Sequence, residues 1–325
     1  MVNRWGRENQ PAKKACQLAA YGLNKAKLGN ASAVTPGRAS RFESLSIEAR
    51  TKNEGAMKLI ERLEKHFIQL SDRVISRMLQ PYPSAGLLQH CKIISHRGEH
   101  DNQRVLENTI EAFERVRAAG VWGLELDLRW TRDLKPVVFH DADLNRLYKG
   151  DIKVSQVTRP ELQSAFPLIP SLEEVVARYG RRLHLMIEIK KETYPDPDAQ
   201  CAVVRQILAP LSAIRHYHLM SLHPEMFDFF SFLPPATFLP IARLNVRWIS
   251  QMALRKKYGG ITGHYALLPT ATLRKHQCLR QQIGTGFVNS RNCLFRELRR
   301  GVVWIFSNNA VSLQAEARQL ATRAP

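Results

Sequence analysis

Two short stretches decide the fold class of this chain: GLELDLRWT at residues 123–131 and LHLMIEIK at residues 183–190. Charged side chains stand two positions apart in each apolar run, Glu125 and Asp127 in the first and Glu188 and Lys190 in the second, a spacing that is typical of β-strands. Since the side chains of a strand alternate between its two faces, the charged residues of each stretch share one face, opposite the leucines and isoleucines. Carboxylates on an inner face are costly unless something compensates them, and a divalent cation would do so.

The same scheme continues along the chain from residue 91, where short strand-like runs alternate with helical ones. This alternation predicts βα units and a parallel sheet. No glycine-rich phosphate loop follows the first strand, which weighs against a dinucleotide-binding fold. We therefore expect an α/β protein with a (β/α)8 TIM barrel. Nine strands are predicted, and we expect one of the last three to lie outside the barrel wall: Lys92–Ser95, Gly123–Thr131, Pro136–His140, Leu183–Lys190, Tyr217–Leu222, Thr237–Ala242, Gly260–Leu268, Ile283–Asn289 and Val302–Ser307.

The region before the barrel divides into two parts. Residues 1–56 are polar and basic without a sustained apolar period, so we expect a partly disordered extension. Residues 57–80 predict an amphipathic helix, which PYPSAG at 81–86 ends, and the barrel domain follows over 87–325. The helix has three interpretations: a cover packed on the barrel, a dimerisation surface, or a basic surface that contacts a membrane. The oligomeric state stays open.

The charge balance indicates an anionic partner. With 48 Lys+Arg against 29 Asp+Glu, the net charge is +19. Nucleic acid, an acidic membrane and a phosphorylated small substrate all fit, but no nucleic-acid motif is present, so we do not expect nucleic acid. The five cysteines never form a CxxC pair, which argues against a disulfide framework or a zinc site. Without an 18-residue apolar run or a hydrophobic signal segment, a cytoplasmic location is the default expectation.

Polar residues gather at the carboxyl ends of the first four predicted strands, the end of a barrel where active sites lie. Three carboxylates among them suit a hard cation, Mg²⁺ or Ca²⁺, better than zinc. Two cationic side chains beside them provide what phosphate binding requires, and two histidines could divide general acid and base work. The carboxylates are Glu125, Asp127 and Glu188, the cations Arg97 and Lys190, and the histidines His96 and His140; Asp141 lies next to His140 in the same cluster.

Several motifs in this order and spacing resemble the glycerophosphodiester phosphodiesterases. They are HRG at 96–98, ENTIEAF at 107–113, ELDLRWT at 125–131, PVVFHDADLNR at 136–146, IPSLEEV at 169–175 and IEIK at 187–190. The resemblance covers roughly residues 91–310. It rests on several short motifs that occur in one order, and not on any single motif.

The resemblance implies a metal-dependent barrel enzyme. In such a scheme the glycerol 2-hydroxyl, or a water, attacks phosphorus, and the products are sn-glycerol 3-phosphate and an alcohol. One divalent cation, Mg²⁺ or Ca²⁺, is implied, and which histidine is acid and which base stays open. The implied roles are metal binding by Glu125, Asp127 and Glu188, proton transfer by His96 and His140, and phosphate binding by Arg97 and Lys190.

Three departures from the family pattern concern the substrate side. The loop at 99–106, EHDNQRVL, is longer than in many relatives, so Glu99, His100 and Asp101 are expected to alter substrate access. Gly286 of GFVN stands where relatives carry a Trp, which predicts the loss of an aromatic wall. The closing strand ends in Asn308 instead of the usual Asp.

A second group of residues is assigned to supporting roles. We expect Asn108 to cap the helix after ENT, and the resemblance places Glu107 near the first histidine. Asp141 is expected to orient a neighbour or cap the next segment. The remaining pocket candidates are His223, His264 and Asn289.

Two other functions compete with glycerophosphodiester hydrolysis. One keeps the barrel and the metal but acts on membrane lysophospholipids, with residues 57–80 as the membrane contact. The other is a barrel without catalysis that binds phosphate-bearing ligands. Every expected catalytic position holds the expected type of residue, which argues against the barrel without catalysis.

Overall fold

The computed structural model describes residues 63–64 and 66–322, which fall into two compact units divided between Val74 and Ile75. Residues 66–75 form helix α1, whereas the predicted extension over 1–56 and the predicted helix start at Met57 lie outside the described residues. No described helix is both long and apolar enough to cross a membrane. The cytoplasmic location stays a prediction.

The second unit is a closed barrel of eight parallel strands, which confirms the expected fold. Strand β1 pairs with β9 on one side and with β2 on the other, and this last pairing closes the wall. The strands are β1 (Lys92–His96), β2 (Gly123–Trp130), β3 (Pro136–Val138), β4 (His184–Ile189), β5 (Tyr217–Ser221), β6 (Phe238–Ala242), β7 (Gly260–His264), β8 (Gln282–Gly286) and β9 (Trp304–Ser307).

Helices connect the strands and form the outer layer. Three short 3-10 helices, Val154–Gln156, Pro224–Phe230 and Pro235–Thr237, add to them. The α-helices of this unit are α2 (Ala85–His90), α3 (Ile110–Ala118), α4 (Asn145–Tyr148), α5 (Arg159–Ala165), α6 (Leu172–Tyr179), α7 (Pro197–Leu208), α8 (Val246–Arg255), α9 (Thr270–Cys278), α10 (Arg291–Arg299) and α11 (Ala310–Ala321).

The strand outside the wall is β3, so the prediction that it would be one of the last three was wrong. After Trp130 the chain turns back, with the Thr131 N–H donating to the Lys135 carbonyl at 3.1 Å and Leu134 in the left-handed region at φ 57°. The hairpin makes β3 antiparallel to β2. An antiparallel strand of this kind cannot belong to a parallel wall, and it instead carries the following residues back over the barrel mouth.

The alternation expected for β2 separates two layers of the core. Leu124, Leu126 and Leu128 face outward and join the large apolar cluster under the helices. Glu125 and Asp127 therefore face the barrel interior, where both are at most 2% exposed. Burial of the apolar faces holds the strand in this register, because a shift by one residue would place the leucines inside and the carboxylates under the helices.

Aromatic side chains fill the amino-terminal end of the barrel interior. His184 Nε2 and His218 Nδ1 are hydrogen-bonded at 2.8 Å. The His184 ring stacks on Trp122 at 4.5 Å, and the His218 ring lies edge-on to Trp304 at 5.0 Å. Burial lowers the pKa of His184 to about 4 and that of His218 to about 3, so both rings are neutral near pH 7.

Candidate active site

Three buried carboxylates meet inside the barrel near the carboxyl ends of β2 and β4. Glu125 and Asp127 share the inner face of β2, and the parallel register places Asp127 beside Glu188 of β4. One oxygen from each of the three lies within 4.8 Å of the other two. The structure therefore brings together the three residues that the sequence predicted as metal ligands.

Burial and mutual repulsion set the electrostatics of this cluster. Burial, with Asp127 and Glu188 nearby, raises the pKa of Glu125 well above its usual value. Burial alone would also raise the pKa of Asp127, but Lys190 and Arg97 hold it below its ordinary value. The Lys190 ammonium lies 2.6 Å from Asp127 Oδ1 and 2.7 Å from Glu188 Oε1.

The donor set fits a divalent cation. Three carboxylates against the two cations Arg97 and Lys190 leave one uncompensated negative charge in a buried space. Because all three candidate ligands are carboxylate oxygens, a hard cation of the Mg²⁺ or Ca²⁺ kind suits them better than zinc. Burial raises the pKa of both Glu125 and Glu188, and a bound cation would favour their charged forms.

Arg97 is held by its backbone and by its side chain. Its φ of 61° turns the chain at the end of β1, and its N–H donates to Glu125 Oε2 at 3.1 Å. The guanidinium contacts Asp127 Oδ2 at 3.2 Å and Glu107 Oε1 at 3.0 Å. The predicted phosphate-binding arginine thus lies directly beside the carboxylate cluster.

His96, the last residue of β1, lies between the carboxylates and β9. Its Nδ1 is 2.7 Å from Asn308 Oδ1, and its Nε2 is 3.9 Å from Glu125 Oε2. The side chain of Asn289 accepts the Asn308 N–H at 3.0 Å and the Ser307 hydroxyl at 3.2 Å. Asn289, predicted as a pocket residue, therefore acts on the site through Asn308. Burial, followed by the charge of Arg97, lowers the pKa of His96 to about 3.

His140 reaches the site from the hairpin and not from a wall strand. Its Nδ1 is 2.6 Å from Asp141 Oδ1, and its carbonyl accepts hydrogen bonds from Arg129 Nε at 3.0 Å and Nη2 at 2.8 Å. Burial lowers the pKa of His140, and the charge of Asp127 opposes that shift. Asp141 is thus hydrogen-bonded to its neighbour, and the orienting role expected for it stays a prediction.

Glu107 is the centre of a second ionic cluster beside the first. It accepts hydrogen bonds from Arg97, from Asn102 at 2.8 Å and from Arg146 at 2.5 Å. Arg146 also donates to Asp141 Oδ2 at 2.6 Å and so connects this cluster to His140. Although burial works against it, the hydrogen bonds from Arg146 and the charge of Arg97 lower the pKa of Glu107 to about 2.

Asn108 and Asp101 make contacts that the sequence did not predict. Asn108 is not the helix cap, because Thr109 caps α3 by accepting from the Ala112 N–H. Asn108 instead adopts a left-handed φ of 58° and donates from Nδ2 to Asp127 Oδ2 at 2.8 Å. Asp101 accepts three backbone N–H groups at 2.7–3.1 Å, so it orders the loop after Arg97.

An aromatic ring lies beside His96 even though Gly286 carries no side chain. Phe287, with φ 62°, packs edge-on to the His96 ring at 5.0 Å and stacks on His264 at 5.8 Å. His264, the last residue of β7, thus lies against Phe287, and its role in a pocket stays a prediction. His223 is half exposed and lies 3.5 Å from Glu225, outside the cluster described above.

Three residues of the site were missed by sequence reasoning. Arg129 shares the inner face with Asp127, and the strand alternation that identified the carboxylates could have identified it too. Arg146 lies inside the motif PVVFHDADLNR but had no assigned role. Nothing in the sequence indicates that Phe287 turns towards His96.

Comparison with known proteins agrees with the motifs. Residues 96–237 match the glycerophosphoryl diester phosphodiesterase family. Over 146 residues the chain is 32% identical to a glycerophosphodiester phosphodiesterase of Caldanaerobacter subterraneus, a stretch that covers 39% of this chain and 59% of that protein. Glycerophosphodiester phosphodiesterase 1 of Bos taurus is 30% identical over 37% of this chain and 42% of its own length. The chain therefore spans about half the length of the curated relatives it matches.

Solved structures agree at the level of the fold. An Oleispira antarctica phosphodiesterase in complex with the product sn-glycerol-3-phosphate matches with a TM-score of 0.61 at 19% identity, covering 72% of this chain and 99% of that one. A glycerophosphodiester phosphodiesterase from Thermotoga maritima matches with a TM-score of 0.59 at 22% identity, covering 71% and 98%. By its sequence match over residues 96–237 and by its barrel, this chain is similar to the glycerophosphoryl diester phosphodiesterases.

Proposed function

We propose that this protein hydrolyses glycerophosphodiesters to sn-glycerol 3-phosphate and an alcohol, with one Mg²⁺ or Ca²⁺ as cofactor. The observation that supports it best is the convergence of three carboxylates, two cations and two histidines at one end of the barrel. Glu125, Asp127 and Glu188 would hold the cation, which when bound would offset negative charge on the phosphate oxygens.

The two cationic side chains bind and orient the phosphate in this proposal. Arg97 offers a planar guanidinium that is already fixed by Asp127 and Glu107, so little freedom is lost when it binds an anion. Lys190 provides a point charge from β4. Together they would hold the phosphate beside the carboxylate cluster and within the site that His96 and His140 also line.

Their partners suggest a role for each histidine. The Asn308 amide oxygen accepts a hydrogen bond from the His96 Nδ1–H, which leaves Nε2 unprotonated as a general base. Asp141 is a charged partner and stabilises the protonated ring of His140, which suits a general acid. His96 would take the proton of the attacking hydroxyl, and His140 would protonate the leaving alcohol.

An assay with metal and chelator tests the proposal. Purified protein is offered glycerophosphocholine, glycerophosphoethanolamine and glycerophosphoglycerol with Mg²⁺, with Ca²⁺ and with chelator, and released glycerol 3-phosphate is measured. We expect turnover that needs a metal and is lost in Glu125→Ala. Glu161→Ala on the surface of α5 is the control for a carboxylate removed elsewhere. Activity that survives both the chelator and Glu125→Ala would contradict the mechanism.

The alternative substrate is a membrane lysophospholipid, with residues 57–80 as the membrane contact. The net charge of +19 favours attraction to an acidic surface. Co-sedimentation with liposomes, with and without residues 57–80, together with lysophosphatidylcholine in the substrate panel, separates this alternative from hydrolysis of soluble diesters. Strong binding that is lost on deletion would favour the lipid.

A further inference from the structure

A second basic region lies outside the active site, at the same end of the barrel. A cavity of about 690 Å³ opens between the segments that follow β6 and β7, and its lining includes Arg243, Arg247 and Lys275. Within the described part of the chain, none of its lining side chains is acidic. A cavity with this charge attracts anionic groups.

Two large apolar side chains are exposed in the segment that lines one side of this cavity. Leu244, in the connection between β6 and α8, is 59% exposed, and Trp248 in the first turn of α8 is 52% exposed. Arg247 precedes Trp248 directly, and Lys275 approaches from α9. Exposed Trp and Leu beside Arg and Lys form the combination that binds the interface of an anionic bilayer, where hydrocarbon and negative charge are both available.

The cavity opens at the same end of the barrel as the candidate active site. α8 and α9 each begin just after the carboxyl end of their strand, so Trp248 and Arg247 lie at the end of the barrel where His96 and His264 end β1 and β7. A protein held by this surface would turn its barrel mouth towards the bilayer.

We propose that Arg243, Leu244, Arg247, Trp248 and Lys275 form a docking surface for the anionic headgroups of a lipid bilayer. The proposal is separate from residues 57–80 and does not depend on hydrolysis. A nucleic acid would meet the charge of this surface but not its exposed leucine, whereas a bilayer meets both.

Vesicle co-sedimentation of the full-length protein tests the docking surface. We expect binding to vesicles of phosphatidylcholine mixed with phosphatidylglycerol, weaker binding as salt rises, and little binding to phosphatidylcholine alone. Arg247→Gln/Lys275→Gln should weaken partitioning by roughly 25-fold, at about fivefold for each cation. Trp248→Ala should weaken it without a change in charge, and both variants should keep the activity on soluble diesters.

The matched control is Arg215→Gln/Arg255→Gln, which removes two exposed cations from the opposite end of the barrel, before β5 and at the end of α8. This double substitution should weaken partitioning onto the vesicles by less than about twofold. Equal losses in the two double variants would overturn the proposal, because the net charge alone would then explain binding. Displacement by inorganic phosphate beyond that of sodium chloride at equal ionic strength, or saturable binding of duplex DNA without vesicle binding, would also overturn it.

Discussion

Replacing Glu125 by Gln should stabilise the metal-free protein and abolish its response to metal. Glu125 is 2% exposed, and its pKa is raised by burial and by the carboxylates of Asp127 and Glu188. At 4.8 Å, the upper limit of their separation, and an effective dielectric constant of about 20, one pair of charged carboxylates repels by about 3.5 kcal/mol. Attraction to Arg97 and Lys190 offsets part of this, so we expect a net gain of about 2 kcal/mol for the neutral amide. A gain of that size raises Tm by roughly 4–8 °C.

Stabilisation by bound metal requires the Glu125 carboxylate, although the same carboxylate destabilises the metal-free protein. A ligand present at about a hundred times its Kd stabilises the native state by about 2.7 kcal/mol, so Mg²⁺ or Ca²⁺ should raise the Tm of the parent protein by roughly 5–10 °C. With one of three carboxylate ligands replaced, this rise should vanish in Glu125→Gln. Differential scanning fluorimetry with chelator and with each metal measures both effects.

Glu107→Gln provides the matched control, since it makes the same chemical change at another buried position. The hydrogen bonds from Arg146 and the charge of Arg97 outweigh burial and lower the pKa of Glu107 to about 2, so its charge stabilises the fold above pH 4.5. This variant should lose about 2–3 kcal/mol at neutral pH. It should keep the rise with metal. The reasoning is refuted if Glu125→Gln lowers the metal-free Tm and still responds to metal.

Three further outcomes follow from the structure. Asn308→Asp should raise the pKa of His96, because a carboxylate favours the protonated ring, and the acidic limb of the kcat/KM profile should move to higher pH. Phe287→Ala should raise KM for diesters with bulky alcohols more than it lowers kcat, as steady-state kinetics over the substrate panel would show. Because His184 and His218 are buried and neutral with lowered pKa values, the unfolded chain binds more protons below pH 6.5. The free energy of unfolding, measured with urea, should therefore decrease as the pH is lowered from 6.5 to 4. The decrease should be less steep in His218→Gln than in the parent protein.

The barrel and its carboxylates were predictable because strand alternation is a local property. The period of two in residues 123–131 places Glu125 and Asp127 inside regardless of what the rest of the chain does. The strand outside the wall was not predictable in the same way. β3 has the apolar composition of a wall strand, and only the turn at Thr131–Lys135, with Leu134 in the left-handed region, reverses its direction.

The ionic cluster around Glu107 shows a second limit of sequence reasoning. Arg146 reaches Glu107 across 39 positions in the sequence, and no local spacing relates the two residues. The geometry depends on where the hairpin after β2 delivers Asp141 and α4. Long side chains that bridge separate loops can be located only after the loops are placed, whereas residues on a strand are located by the strand itself.

The surroundings of His96 could be predicted from the sequence only in part. The family resemblance predicts that Gly286 removes an aromatic side chain from this wall, and that comparison stays a prediction. The backbone of the next residue then enters the left-handed region, and Phe287 places its ring 5.0 Å from His96. An extended β-strand would have turned this ring to the opposite face. The position of this ring therefore depends on one backbone angle, so we expect Phe287→Gly to change substrate preference more than Gly286→Ala, whose added Cβ would meet only ordinary contacts at 3.6 Å.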